Sequence, residues 1–187
     1  MIATTEDNTK EIKIESNVPV TITVPEDSIL NKLVKPHDKK SREAVEKDVE
    51  TIVADSVTLY QLCFTGNGLY QGAYAMHHSQ INDTDPIDFF VTHKRDIFIN
   101  PKIVKHSSYL KDSKEACMTF ADRPQTIVSR WQKITVTYQT IMVDPENEGK
   151  FKLSSVIEVG MSGPESFVFQ HEADHGQALY IYQTDII

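Results

Sequence analysis

A helix close to the end of the chain limits what the rest of the protein can be. The Ser-Gly-Pro-Glu sequence at 162–165 has the form of a capping box with proline in the first turn, which predicts a helix over 164–176. Within it His171 and His175 are four residues apart, so both imidazoles lie on one face and can reach a single metal ion. Glu172 follows the first histidine and can reach a water at such an ion, as in other H-E-x-x-H helices. The pattern predicts a metal site here, and the alternative is a solvated face of an acidic helix.

Two histidines do not complete a catalytic metal site, which usually takes three protein ligands and a water. Only twelve residues follow His175, and Asp185 is the only acid among them. A third ligand is therefore expected upstream, and Cys117 is the best candidate because a thiolate binds Zn²⁺ and Fe²⁺ strongly. The other cysteine, Cys63, lies on the apolar stripe of an earlier helix, where a buried structural thiol is the favoured interpretation.

The segments before this helix are mostly extended. Alternating and β-branched apolar residues predict strands at 89–91, 97–104, 127–142 and 151–159, and either a strand or a hairpin turning at Ser16-Asn17 over 10–24. One earlier helix is predicted from apolar residues at three-and-four spacing between Val45 and Cys63, with Ser41 as its N-cap. Strands without β-α-β alternation, followed by a helix, predict an α+β fold in which mostly antiparallel sheets wrap around the C-terminal metal-binding helix.

Length and charge limit the domain organisation and the possible partners of the chain. A chain of 187 residues predicts one domain, here 10–187 behind a polar flexible arm at 1–9. The net charge of −8, from 19 basic and 27 acidic residues, argues against DNA and anionic membranes as partners. No apolar run is long enough to span a bilayer, and the start lacks the layout of a signal peptide. We expect a soluble, cytoplasmic monomer.

Two stretches of the sequence resemble the peptide deformylase family. They are Glu115-Ala116-Cys117-Met118-Thr119 and Gln170-His171-Glu172-Ala173-Asp174-His175. The family's first motif, G-x-G-L-A-A-x-Q, is best matched by 73–80, which keeps Gln80. There both glycines are alanine, the leucine is methionine, and the alanine pair is replaced by His77 and His78. The resemblance covers roughly 19–182.

This resemblance implies removal of the formyl group from the N-terminal formyl-methionine of newly synthesised polypeptides, with release of formate. Cys117, His171 and His175 would hold one divalent ion, usually Fe²⁺ in the family, with Zn²⁺ or Ni²⁺ as substitutes. Glu172 would act as general base and then as general acid.

The other roles also follow from the resemblance. The Gln80 amide and the Met118 backbone N–H would donate to the oxyanion. The side of the cleft that binds methionine would include Tyr74, Ala75, Phe167 and Val168. The formylated nascent peptide would be the main partner, and the ribosome is a further candidate.

Several alternatives stay open at this point. The same metal site would also serve a metallopeptidase or another amidase, and a non-catalytic binding protein with this fold is a third possibility. His77 and His78 are interpreted as local substitutions, against the alternatives of a proton-tuning group or an additional ligand. Glu115 would pair with Arg130, with Arg123 as the competitor, and Asp174 and Gln170 would orient the histidine ligands.

Overall fold

The computed structural model describes residues 38–64, 73–120 and 122–182. The arm at 1–9, the strand or hairpin predicted at 10–24 and Asp185 lie outside the described residues. No helix within the described ranges is long and apolar enough to cross a membrane.

The first helix, α1, spans Val49–Phe64 and follows a 3₁₀ turn at Glu46–Asp48. The prediction of Ser41 as its N-cap is wrong. The N-cap of the 3₁₀ turn is Val45, four residues later than predicted, and the Asp48 carboxylate accepts a hydrogen bond from the Val45 N–H at 2.9 Å. Residues 41–44 are instead tied to other parts of the chain, since the Ser41 N–H donates to the Gly176 carbonyl at 2.8 Å.

Nine strands are present in the described residues: β1 (Ala75–His77), β2 (Phe89–Thr92), β3 (Ile97–His106), β4 (Leu110–Glu115), β5 (Thr126–Trp131), β6 (Lys133–Gln139), β7 (Ile141–Val143), β8 (Phe151–Leu153) and β9 (Ile157–Ser162). Five of them form an antiparallel sheet in the order β1-β2-β3-β6-β9. Two further antiparallel pairs are β4-β5 and β7-β8. The strands predicted at 89–91 and 97–104 are confirmed.

The single strands predicted at 127–142 and 151–159 are wrong, because each is divided among different sheets. The first becomes β5, β6 and β7, and the second becomes β8 and β9. At the first break the Gln132 N–H donates to the Tyr109 carbonyl at 3.1 Å, and the chain passes from the β4-β5 pair into the five-stranded sheet. The β-branched composition continues through both sheets, so residue preference does not mark the break.

The five-stranded sheet separates two apolar clusters. Strand alternation directs Phe89 and Val91 towards α1 and Phe90 towards the C-terminal helix. On the second side the Phe90 and Phe98 rings stack at 4.7 Å, and Phe169 meets both edge-on. Burying each of these rings stabilises the fold by about 2–3 kcal/mol, and this packing holds the C-terminal helix against the sheet.

That helix, α2, spans Pro164–Gly176, as predicted. The predicted capping box does not form. Ser162 still belongs to β9, where it pairs with Lys133, and Gly163 stands at the N-cap without a side-chain hydrogen bond. The Gly163 φ of 60° and ψ of −139° describe a sharp turn from strand to helix that favours glycine. The Glu165 carboxylate accepts from Lys94 instead of closing the first turn.

Candidate active site

Three side chains from two distant segments converge beside α2. His171 and His175 lie on one face of the helix, and Cys117 comes from the segment after β4. Their ligand atoms all lie within 4.8 Å of one another, and the Cys117 Sγ is 3.3 Å from the His175 Nε2. Cys117 and His175 are almost fully buried.

The donor set of this cluster fits a divalent transition metal. One thiolate and two imidazoles are ligands that Zn²⁺ and Fe²⁺ accept, and three protein ligands leave a position for water. Burial alone would lower the pKa of His171, but hydrogen bonds with Cys117 and Glu115 raise it to about 10. The surroundings therefore stabilise positive charge at the point where the three ligand atoms meet. These residues could hold a metal ion.

A buried ion-pair network supports His171 from behind. The Arg130 guanidinium donates to both carboxylate oxygens of Glu115 at 2.9 Å and to Asp174 at 2.6 Å. The His171 Nδ1 lies 2.9 Å from the Glu115 Oε2, so Nδ1–H donates there and Nε2 keeps its lone pair for an ion. Burial would raise the pKa of Glu115, but the hydrogen bonds from Arg130 and His171 lower it to about 2.

This network settles two of the sequence predictions. The partner of Glu115 is Arg130, whereas the competitor Arg123 lies over the rings of Phe120 and Tyr182 at 4.9 and 5.2 Å. Asp174 acts on His171 only through Arg130 and Glu115.

The prediction that Gln170 orients a histidine is wrong. Its carboxamide accepts from the Trp131 N–H at 2.9 Å and donates to the Trp131 carbonyl at 2.9 Å. It also donates to the Ser166 hydroxyl at 2.9 Å. Gln170 therefore attaches α2 to the end of β5.

Glu172 is a buried carboxyl group next to the metal-type cluster. Its side chain is 3% exposed, and its Oε2 has no hydrogen-bond partner among the described residues. Burial raises its pKa to about 7, against the lowering effect of a charged His171. A carboxyl group with this pKa can accept and release a proton near neutral pH.

Gln80 lies in the 3₁₀ turn His78–Gln80 directly after β1. Its Oε1 accepts from the His77 N–H at 2.8 Å, and its Nε2 donates to the Thr119 hydroxyl at 3.1 Å. The amide nitrogen therefore faces the segment that carries Cys117 and Met118. Met118 begins another 3₁₀ turn, Met118–Phe120.

A cavity of about 580 Å³ opens beside these groups. Gln80, Cys117, Met118, His171 and Glu172 are among the residues that line it. The four residues predicted to bind substrate, Tyr74, Ala75, Phe167 and Val168, line the same cavity. Ala75 is buried, whereas Tyr74 is 71% exposed at the rim.

His77 and His78 are fully buried and do not join the Cys117, His171, His175 group. The His77 Nδ1 accepts from the Ser79 N–H at 3.1 Å, and its Nε2 lies 3.3 Å from the Asp88 Oδ1. The His78 Nδ1 accepts from the Ile87 N–H at 2.8 Å, and its Nε2 lies 3.1 Å from the Asp55 Oδ2. Each ring therefore joins a turn to a neighbouring segment.

Sequence reasoning missed three contacts of this site. The links Gln80–Thr119, Arg130–Asp174 and His77–Asp88 join residues 39, 44 and 11 positions apart. Thr119 and Asp174 carried a signal, since they belong to the short motifs that contain Cys117 and His171. Their partners, and the contact of His77 with Asp88, depend on how separate strands and α2 come together, which local spacing does not encode.

The fold and the site together define an α+β protein with antiparallel sheets, a C-terminal helix and one Cys/His/His cluster beside a buried carboxyl group. The sequence model of the family described as polypeptide deformylase matches residues 20–185. The chain belongs to the polypeptide deformylase family. It is therefore an amidohydrolase that removes the formyl group from nascent peptides, and the resemblance found in the sequence is confirmed.

Solved structures support the same fold. A peptide deformylase from Thermotoga maritima is 22% identical with a TM-score of 0.60, covering 77% of this chain and 86% of that one. A class I type b peptide deformylase from Acinetobacter baumannii is 16% identical with a TM-score of 0.64, covering 81% and 97%. A probable peptide deformylase from Synechococcus phage S-SSM7 is 22% identical with a TM-score of 0.57, covering 80% and 92%. No curated protein sequence matches the chain at a significant level.

Proposed function

We propose that this chain removes the formyl group from N-terminal formyl-methionine, with Glu172 as the group that carries the proton. The observation that supports this most directly is a buried carboxyl group, with a pKa raised to about 7, beside three convergent ligand atoms at one cavity. Water activation needs a metal ligand set and a proton acceptor in this arrangement.

Cys117, His171 and His175 are the proposed metal ligands. A divalent ion held there supplies Lewis acidity and lowers the pKa of a water. Thiolate and imidazole suit Fe²⁺, Zn²⁺ and Ni²⁺ alike, and we propose Fe²⁺ as the native ion because it is the usual one in the family. Glu115 keeps His171 in the tautomer that presents Nε2 to the ion.

The hydrolysis can be written from the side chains. Glu172 takes one proton from the attacking water, and the water oxygen forms a bond to the formyl carbon. The bond between that carbon and the amide nitrogen then breaks, and Glu172 delivers its proton to the nitrogen. The products are a free amino terminus and formic acid, which loses its own proton to solvent at neutral pH.

The negative charge that develops on the formyl oxygen needs hydrogen-bond donors. The Gln80 Nε2 carries a second N–H besides the one donated to Thr119, and its carbonyl end is held by the His77 N–H. We assign Gln80 and the backbone N–H of Met118 as the donors, since both residues line the cavity beside Cys117.

The methionine side chain is assigned to the part of the cavity formed by Phe167 and Val168 on α2, together with Ala75 and Tyr74. Three of these are apolar, and burying a methionine side chain against them contributes about 1.5–3 kcal/mol to binding. Tyr74, 71% exposed, is proposed as the outer member of this set.

The remaining expectations concern the whole protein. We propose one domain over 10–187, a monomer in the cytoplasm, with the nascent peptide as partner and the ribosome as a further candidate. The net charge of −8 disfavours binding to DNA.

The decisive test is formate release from formyl-Met-Ala-Ser by protein prepared anaerobically with Fe²⁺. Glu172→Gln should lower kcat by about 10²- to 10⁴-fold at unchanged metal content, because it removes the proton carrier. Glu165→Gln is the matched control, since Glu165 lies on the same helix, is exposed and pairs with the exposed Lys94. Formate release that persists in Glu172→Gln would contradict the assigned role.

Two further substrates separate the alternatives. Acetyl-Met-Ala-Ser should not be hydrolysed at a comparable rate if the site selects the formyl group. Cleavage of unblocked peptides without formate release would favour a peptidase. A metal-loaded parent that turns over none of these substrates would favour a binding role.

A further inference from the structure

The end of α2 lies against a pair formed by the buried His77 and the part-buried Asp88. A Cβ built on Gly176 would approach the Asp88 Oδ1 to 2.6 Å and the His77 Nε2 to 3.3 Å. Gly176 directly follows His175, and the His77 and His175 rings are 6.4 Å apart. The pair therefore fills the space beside the helix turn that ends in this proposed metal ligand.

Both members of the pair are fixed in turn by other segments. The Asp88 N–H donates to the Arg42 carbonyl at 2.8 Å, and its carbonyl accepts from the Asn100 N–H at 2.8 Å. The His77 Nδ1 accepts from the Ser79 N–H, so its Nε2–H is the one that donates to Asp88. The pair is therefore a rigid surface against which the helix end rests.

His77 also contacts the other half of the site, through its backbone. The His77 N–H donates to the Gln80 Oε1 at 2.8 Å, which turns the amide nitrogen of Gln80 towards Thr119. His77 is therefore connected to His175 through Asp88 and Gly176, and to the proposed oxyanion donor Gln80 through its main chain.

We propose that His77 is a positioning residue, which together with Asp88 fixes the helix end that carries His175 and keeps Gln80 aligned with it. The inference rests on the proposed function for its kinetic consequence, but its effect on the ligand geometry is independent of the substrate. Positioning groups of this kind typically change metal affinity or activity by about 10- to 100-fold when they are removed.

The neighbouring His78 provides a matched control. It is as fully buried as His77, but its ring stacks on Phe89 and its nitrogens bond to Asp55 and the Ile87 N–H, away from α2. A purely structural role for both histidines predicts that His77→Ala and His78→Ala behave alike. A positioning role predicts that only His77→Ala changes the metal site.

The experiment uses the full chain loaded with Co²⁺, whose d–d and thiolate charge-transfer bands report the arrangement of the ligands. Both alanine variants should lower the urea midpoint by similar amounts. Only His77→Ala should shift the cobalt bands and lower kcat for formyl-Met-Ala-Ser about 10- to 100-fold, with KM within about twofold of the parent. His77→Gln should restore much of both signals, because its carboxamide N–H can still donate to Asp88.

Gly176→Ala changes the same contact from the side of α2 and keeps both histidines. It is therefore a second test of the proposal if His77→Ala does not fold. Its new methyl group should displace the pair and shift the cobalt bands, whereas Gly160→Ala, which has open space, should not. Parent-like cobalt bands in His77→Ala or in Gly176→Ala would overturn the proposal, as would equal changes in His78→Ala. If the parent releases no formate, the cobalt bands still decide this inference separately from the proposed function.

Discussion

Replacing Arg130 by methionine removes the one cation that Glu115 and Asp174 share. Methionine keeps most of the length of the side chain but leaves Asp174 without the guanidinium and Glu115, 9% exposed, with His171 in place of two cationic partners. Removing one partner of a buried ion pair costs about 3–5 kcal/mol. The fall in the pKa of Glu115 from 4.5 to about 2, to which Arg130 contributes more than His171, corresponds to about 3.5 kcal/mol at 1.4 kcal/mol for each pKa unit. We therefore expect Arg130→Met to lower the free energy of unfolding by about 3–4 kcal/mol.

The assay is urea unfolding followed by far-ultraviolet circular dichroism at one fixed Zn²⁺ concentration. With a slope of about 2 kcal/mol per molar urea, the midpoint should fall by about 2 M. Arg123→Met is the matched control, because this arginine is exposed and lies over the Phe120 and Tyr182 rings without a carboxylate partner among the described residues. Its loss should cost about 0.5–1 kcal/mol.

A midpoint for Arg130→Met no lower than that of Arg123→Met would refute the reasoning. The double variant Glu115→Gln/Arg130→Met gives a second check. It should be less destabilised than the two single variants added together, because neither partner is then left as a buried unpaired charge.

Three further predictions follow from other contacts. Asp48 has a pKa lowered to about 2 by its hydrogen bond to Arg42, below its usual 3.8, so its contribution to stability is complete above about pH 4 and is lost as the pH falls towards 2. Because solvent surrounds the half-exposed Arg42, Asp48→Asn should lower the free energy of unfolding at pH 7 by only about 1–2 kcal/mol. It should also flatten the dependence of the melting temperature on pH between 4 and 2, and an unchanged dependence would contradict this. Tyr182→Phe should lower the free energy of unfolding in urea by about 1 kcal/mol, because the Tyr182 hydroxyl donates to the Pro124 carbonyl at 2.8 Å. Tyr109→Phe, at an exposed position, should leave it unchanged, and equal effects of the two would argue against that bond. Removing bound Zn²⁺ with a chelator should lower the melting temperature reversibly, since an ion present at 1,000 times its Kd stabilises the native state by about 4 kcal/mol; a melting temperature unaffected by chelation would argue against the metal site.

How much of the fold and the site the sequence predicts depends on how far apart in sequence the interacting residues lie. The bounds of α2 are predicted from a local start signal, of which the first-turn proline is present in the structure and the capping box is not, and the pair of histidines from its i, i+4 spacing. Cys117 lies 58 positions from His175, yet ligand chemistry points to it because a thiolate completes the donor set. Both predictions use information that a short motif contains.

The errors arise where distant segments decide local structure. Ser162 has the spacing of a helix cap, but pairing with Lys133 keeps it in a strand and passes the N-cap to Gly163. Gln132 lies within a β-branched run, but a hydrogen bond to the Tyr109 carbonyl turns the chain into another sheet. His77 shows the same limit at the site, since its contact with Gly176 exists only after β1 and α2 have packed.

The two cysteines occupy very different surroundings, and this makes them chemically distinguishable. Burial, reinforced by the negative charge of Glu172, raises the pKa of Cys63 so far that it stays protonated at neutral pH. Cys117, although buried, lines the open cavity, and alkylating reagents attack the thiolate form. An ion bound to the Cys117 sulfur would shield it from such reagents. The fraction of chains that gain one alkyl group, read by mass spectrometry, should therefore count the molecules that have lost their metal.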